Sequence, residues 1–183
     1  MIAVFKRVSD WNAARYDQIY NQQLTLSLLR EEYQEYLEAT TEVDKLDALC
    51  DLAYVAMGAL WKLNPSDAVQ ADNGEHSVKV VAGLIEINEL SPVFLVGTYL
   101  DVLQYTDGYP DVQTMHFIIT SCLTEISGLG VDPVAAMSIV CDSNDTKSVA
   151  KTASDVKANK DKGEHFRPPE YRLQSLLGAR KDA

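Results

Sequence analysis

A dense run of carboxylates is the part of this chain best equipped for chemistry. Glu31, Glu32, Glu35 and Glu38 are followed closely by Asp44, Asp47 and Asp51. Carboxylates gathered in one place repel each other unless they are protonated or share a cation. A donor set made only of oxygens, with no histidine, suits a hard ion, Mg²⁺ or Mn²⁺. The bland alternative is a solvated acidic face on a helical hairpin.

The helices that carry these acids decide between the two. The stretch from Leu28 to Leu60 reads as two helices joined by a very short turn. On the first, the apolar stripe Leu24, Leu28 runs at helical spacing into Glu31/Glu32 and Glu35, so charge extends a stripe that begins in the core. On the second, Asp44, Asp47 and Asp51 share one face, which continues into Tyr54 and Gly58. A reversal near Thr41 sets Glu38 opposite Asp44, Glu35 opposite Asp47 and Glu31 opposite Asp51. Packed helices lie roughly 8–10 Å apart between axes, so acids pointing inward from both can meet. That convergence favours a held cation over a merely solvated face.

Composition bounds the rest. The chain has 183 residues, 46% of them hydrophobic, enough for one domain with a substantial core. Few Gly and Pro beside many Leu, Ala and Val favour an all-α class, a helical bundle built on the acidic hairpin. The net charge of -11 is uneven. Residues 1–146 hold 7 Lys/Arg against 22 Asp/Glu, whereas 147–183 hold 9 against 5. An acidic body argues against a nucleic acid polymer as partner, because backbone binding needs a basic surface. Cys50, Cys122 and Cys141 form no CxxC and sit in apolar runs, as buried reduced thiols of a cytoplasmic protein would. The start, MIAVFKR, is too short for a signal peptide, and no apolar run approaches the ~20 residues that span a bilayer. The expectation is a cytoplasmic protein with no membrane partner.

Along the chain, Ser9 or Asp10 can cap a helix beginning at Trp11, with residues 2–8 an extended or short lead-in. The polar Asn21–Gln23 breaks or kinks the run before Leu24. Thr41 and Asp44 have the spacing of a capping box. Asn64-Pro65 starts a short helix to about Gln70, Asp72-Asn73-Gly74 turns, and Ser77–Leu90 is helical. Ser91-Pro92 opens a helix to Tyr105, and Asp107-Gly108-Tyr109-Pro110 ends it. Helices follow over Asp111–Ser127 and Val134–Cys141. Beyond Ser143 the chain turns polar and basic, and Pro168-Pro169 precedes a short C-terminal helix.

Two later stretches can meet a phosphate. Ser143-Asn144-Asp145-Thr146-Lys147 supplies amide, hydroxyl and ammonium groups, and Lys160 to Pro169 mixes cations with a ring and a glycine. With the hairpin, these pieces resemble the all-α nucleoside triphosphate pyrophosphohydrolases, the MazG-like and all-α dUTPase superfamily, and within it the phosphoribosyl-ATP-pyrophosphohydrolase-like branch. The family's EExxE is matched by Glu31-Glu32-Tyr33-Gln34-Glu35, and its ExxD by Asp44-Lys45-Leu46-Asp47, with Asp for the first Glu. The run from Asp47 through Asp51 and Tyr54 to Gly58 is similar to DAxxDxxYVxxG. Ser143-Asn144 with Lys147, then Lys162-Gly163 and Pro168-Pro169, resemble the SNxxK and KGxxxxPP endings. The resemblance covers roughly residues 9–60 and 128–170. Residues 62–127 stand outside it, as a helical insertion within a single domain of 1–183.

The resemblance implies hydrolysis of a nucleoside triphosphate, a dNTP in particular, between its α and β phosphates, with Mg²⁺ or Mn²⁺ as cofactor. It implies Glu32, Glu35 and Asp47 as metal ligands with Asp44 as a further one. Glu31 or Asp51 would orient or deprotonate the attacking water. Asn144, Lys147 and Lys162 would contact phosphate or ribose, and Asn12 and Tyr16, beside Trp11, the base. It further implies a homodimer or a dimer of dimers. A di-iron carboxylate bundle needs two Glu-x-x-His pairs, and Asn73, Gln113 and Lys162 precede the three histidines by three residues. The remaining rival is a helical protein that binds nucleotide or a partner without cleaving anything.

Overall fold

The computed structural model describes residues 1–63, 91–148 and 162–179. Among these, seven helices and no strand are present: α1 (Ile2–Ala13), α2 (Gln22–Glu38), α3 (Glu42–Leu63), α4 (Pro92–Tyr105), α5 (Val112–Gly128), α6 (Pro133–Asp145) and α7 (Glu170–Ala179). The all-α expectation holds. The helices expected over 65–70 and 77–90, and the turn at 72–74, lie outside the described residues.

Helix α3 is the axis of the bundle. It packs against α1, α2, α5, α6 and α7, and its contact with α5 is the most extensive in the fold. Its composition explains this place, for Leu46, Leu49, Leu52, Ala53, Ala56, Met57 and Leu60 are all fully enclosed. Apolar residues appear on nearly every side, the pattern of a helix surrounded by others. Helix α5 meets it with Met115, Ile118, Cys122 and Ile126, each at 0% exposure. The second half of the expected insertion therefore contributes to the core around α3.

Two local readings change. The first helix spans 2–13 and ends almost where the sequence suggested a start. Its buried face is Val4, Phe5, Val8 and Asn12, a short helical stripe obscured by polar neighbours. Ser9 returns its hydroxyl to the Phe5 carbonyl (3.0 Å) and Asp10 pairs with Lys6 (2.6 Å), so neither caps a following helix. The second change is the facing of α2. Leu24 and Leu28, read as the core stripe, are 49% and 36% exposed. The inward face is set instead by Thr25 and Leu29, with Tyr33 and Tyr36 packed partly against the core.

Other boundaries follow their chemistry. Asn21 accepts the Leu24 amide (2.9 Å), so the polar break is the N-cap of α2. Thr41 and Asp44 form a reciprocal capping box at the start of α3: the Asp44 amide donates to Thr41 Oγ1 (3.1 Å) and the Thr41 amide to Asp44 Oδ2 (3.2 Å). Asp111 and Thr114 build another before α5. Asp132 caps α6, with Pro133 at its first turn, and α6 continues past Cys141 to Asp145. At Gly97, an added Cβ would lie 2.1 Å from the Tyr33 ring, so glycine permits the close approach of α2 and α4.

Among the described residues no single helix is long and apolar enough to cross a membrane. Helices α5 and α6 together have the length and composition, but they meet at a 112° bend, and both contribute buried residues to the core.

Candidate active site

Helix pairing gathers acids from both arms of the hairpin. Glu32 lies three residues beyond the fully buried Leu29, on the same face of α2, and is itself partly buried. Asp47 and Asp51 occupy one face of α3, also partly buried, a turn before the buried Tyr54. Their charges are felt by one another. Burial, then repulsion from Asp51, Glu35 and Glu31, pushes the Glu32 carboxyl up to about 8. Burial first, then repulsion from Asp51, Glu170 and Glu35, raises Asp47, and burial with repulsion from Glu35 and Glu170 raises Asp51. Two ammonium groups oppose this. Lys147 favours the ionised form of Glu32, Asp47 and Asp51, and Lys162 that of Asp51.

The structure thus brings Glu32, Glu35, Asp47, Asp51, Lys147 and Lys162 into one electrostatic neighbourhood. It places Glu31 on the exposed side of α2, because the inward face is carried by Leu29 and Glu32. Asp51 is the carboxylate that acts most strongly on Glu32, one residue beyond the Glu31 that the simple reversal about Thr41 sets opposite it. Asp44 is exposed and its carboxylate serves the capping box.

The cationic side is assembled from the end of α6 and the segment before α7. Asn144 is buried in the last turn of α6, and its carbonyl accepts the Trp11 indole N–H at 2.9 Å. Thr146 Oγ1 donates to the Ser143 carbonyl (2.7 Å) and accepts the Arg167 amide (2.9 Å), which ties the later segment to the helix end. The Phe166 ring lies under Lys147 and Lys162, whose Nζ atoms are 5.9 and 5.4 Å from its centroid. Helix α7 then anchors itself through the buried Leu173 and Leu177 and through Arg172, which donates to Asp142 (2.8 Å).

Of the residues assigned to the base, Asn12 is only 6% exposed, and its Nδ2 donates to the Val8 carbonyl at 2.8 Å. It also packs against Gly58, where an added Cβ would come within 3.1 Å of the amide. Tyr16 is exposed, 5.9 Å from the Trp11 ring and beneath the Lys62 ammonium at 5.1 Å. Trp11 packs edge-on to Tyr54 and carries the Arg15 guanidinium 4.3 Å above its ring. Arg15 in turn donates to the Lys147 carbonyl (3.1 Å), linking this aromatic shelf to the cationic end.

Glu170 escaped the sequence reading, and Phe166 entered it only as part of the Lys160–Pro169 stretch. Glu170 opens α7 directly after Pro168-Pro169, a position where an acid is usually just a favourable helix start. Only the docking of α7 on α3 brings its charge to bear on Asp47 and Asp51.

The acids suit a hard divalent cation by donor type, and one detail supports this. Asp47 Oδ1 is enclosed with no hydrogen-bond partner, and an orphaned buried carboxylate oxygen invites a ligand. As the side chains stand, no three His, Cys, Asp or Glu groups among the described residues form a ready cation cage. The acids share a neighbourhood in which they repel, and a cation would have to draw them together.

Comparison with known proteins adds an independent line. Residues 4–65 match the family model of phosphoribosyl-ATP pyrophosphohydrolase. Neither the curated proteins nor the solved structures yield a match to this chain. The matched stretch contains α1 from Val4 onward and the whole acidic hairpin. It fits the all-α NTP pyrophosphohydrolase superfamily whose motifs the sequence displays, and supports a nucleotide pyrophosphohydrolase activity in general.

Proposed function

We propose that this chain is a metal-dependent pyrophosphohydrolase that splits a nucleoside triphosphate, a dNTP in particular, into the monophosphate and pyrophosphate. The observation that carries this reading is the enclosed acid group of Glu32, Asp47 and Asp51, charge-coupled to Lys147 and Lys162 and containing an oxygen without a partner. Glu32, Glu35 and Asp47 would hold Mg²⁺ or Mn²⁺, which when bound polarises phosphate oxygens and offsets the charge developing on them.

The protein's own groups do the rest. Lys147 and Lys162 bind and orient the phosphates. Asp51, raised by its enclosure, is the candidate to take a proton from water, whose oxygen joins one phosphorus as the α–β bridge breaks and pyrophosphate leaves. Glu31 faces outward and is the weaker candidate for that role. Asn144 lies beside Lys147 at the helix end, where ribose or phosphate would be held. Tyr16 is the base-contacting candidate whose ring is accessible, with Asn12 behind it.

The test is a panel of dNTPs, NTPs and phosphoribosyl-ATP incubated with Mg²⁺ or Mn²⁺, assaying monophosphate and pyrophosphate together. Equimolar release of both, abolished by chelation, is expected. Nucleotide binding without product from any member of the panel would replace this reading with a non-catalytic one. Lys147→Ala should raise KM roughly tenfold while kcat changes little, as loss of a phosphate contact made equally in ground and transition states requires. A fall in kcat at constant KM would move Lys147 to a different role.

A further inference from the structure

Lys147 and Lys162 come from different segments and both lie over the same ring. Phe166 is partly buried, with the two ammonium groups at 5.9 and 5.4 Å from its centroid. Both distances lie within the ~6 Å over which a cation is drawn to an aromatic face. The backbone around the ring is held by other means: the Phe166 amide donates to the Gly163 carbonyl (2.9 Å), and the Arg167 amide to Thr146 Oγ1 (2.9 Å). The ring is therefore not needed to fasten the segment. Two like charges that share one ring repel each other, and the aromatic face offsets part of that repulsion.

We propose that Phe166 is a positioning residue, a shared aromatic platform that holds Lys147 and Lys162 as one cationic pair for a polyphosphate. The proposal rests on the reading that these lysines bind the substrate's phosphates. It gives a reason for an aromatic residue, rather than any apolar one, beside two lysines that act on an acidic group. That both lysines favour ionisation of Asp51 agrees with their facing the same point.

The experiment measures binding of inorganic tripolyphosphate in Mg²⁺ buffer by calorimetry, using the full chain. Phe166→Leu keeps the apolar bulk and removes the ring's charge distribution, and should weaken binding roughly five- to tenfold. Phe166→Tyr keeps the aromatic face and should bind within about twofold of wild type. On a Lys147→Ala/Lys162→Ala background, Phe166→Leu should have little further effect. Should Phe166→Leu lose its helical circular dichroism, Phe166→Met serves in its place. The proposal is overturned by wild-type affinity in Phe166→Leu, by equal losses in the Leu and Tyr variants, by full additivity on the double-lysine background, or by no tripolyphosphate binding in the wild type. The readout needs no turnover. If no nucleotide is hydrolysed yet the expected pattern of binding holds, the catalytic reading alone fails.

Discussion

Two groups of acids in this molecule behave in opposite ways. Asp142 and Asp145, at the end of α6, face arginines. Arg7 donates to Asp142 (2.8 Å) and Asp145 (2.6 Å), and Arg172 to Asp142 (2.8 Å). Despite some burial, these guanidinium groups hold the Asp142 carboxyl below its ordinary range. Across the bundle, Glu32, Asp47 and Asp51 face one another and are raised. The first group fastens α1, α6 and α7 together. The second has more enclosed negative charge than two lysines offset, an arrangement that weakens the fold unless a ligand completes it.

The contrast is open to direct attack, and the largest effect should come from the unmatched group and the exposed Glu35 beside it. Asp47→Asn and Glu35→Gln should each lower turnover by about a hundredfold or more, the scale of losing part of a metal site, while the helical circular dichroism stays unchanged. Hydrolysis at the wild-type rate in either variant would remove these residues from the site.

The next effect is on stability and has an unusual sign. A carboxyl whose folded pKa lies above its unfolded value favours the fold while protonated, and that contribution is lost as pH rises through the folded pKa. In chelator, the wild-type Tm should therefore drift down between the ordinary carboxylate range and about 8, the value reached by Glu32. Asp47→Asn should raise Tm at pH 8, by on the order of 1–2 kcal/mol of stability, and flatten part of this drift. Added Mg²⁺ should stabilise the wild type more than the variant. A destabilised Asp47→Asn protein at pH 8 would mean that Asp47 is a matched acid after all.

The matched group predicts the reverse slope at smaller size. Asp142→Asn should lower stability at neutral pH by about 1 kcal/mol, since the ion pairs are partly exposed. The difference from wild type should close in acid, as pH falls through the depressed folded pKa and the native carboxylate is protonated. Turnover should hardly change. A gap that persists at low pH would point to packing rather than charge.

The smallest effect sharpens the border between the groups. Asp44→Ala removes one half of the capping box and should lose roughly 0.5–1 kcal/mol, with turnover within a few-fold of wild type. Loss of turnover comparable to Asp47→Asn would return Asp44 to the metal site.

Much of this was legible in the chain alone. The hairpin, its turn and the face shared by Asp47, Asp51, Tyr54 and Gly58 follow from helical spacing, which local sequence carries directly. So does the capping box of Thr41 and Asp44, because a cap is a contact between residues three apart. Which side of α2 faces inward was not legible. Leu24 and Leu28 are as apolar as Leu29, and only the partners supplied by α3 and α4, with Tyr33 against Gly97, select the face that turns Glu32 in and Glu31 out. The acids themselves, and the helices that carry them, were determined by the sequence. Their division into a group matched by arginine and a group left enclosed was decided by tertiary structure. Arg7 lies 135 residues from Asp142, and Glu170 reaches Asp47 through the docking of α7. Charge acts through space, and spacing along the chain records only the part of it that one helix can hold.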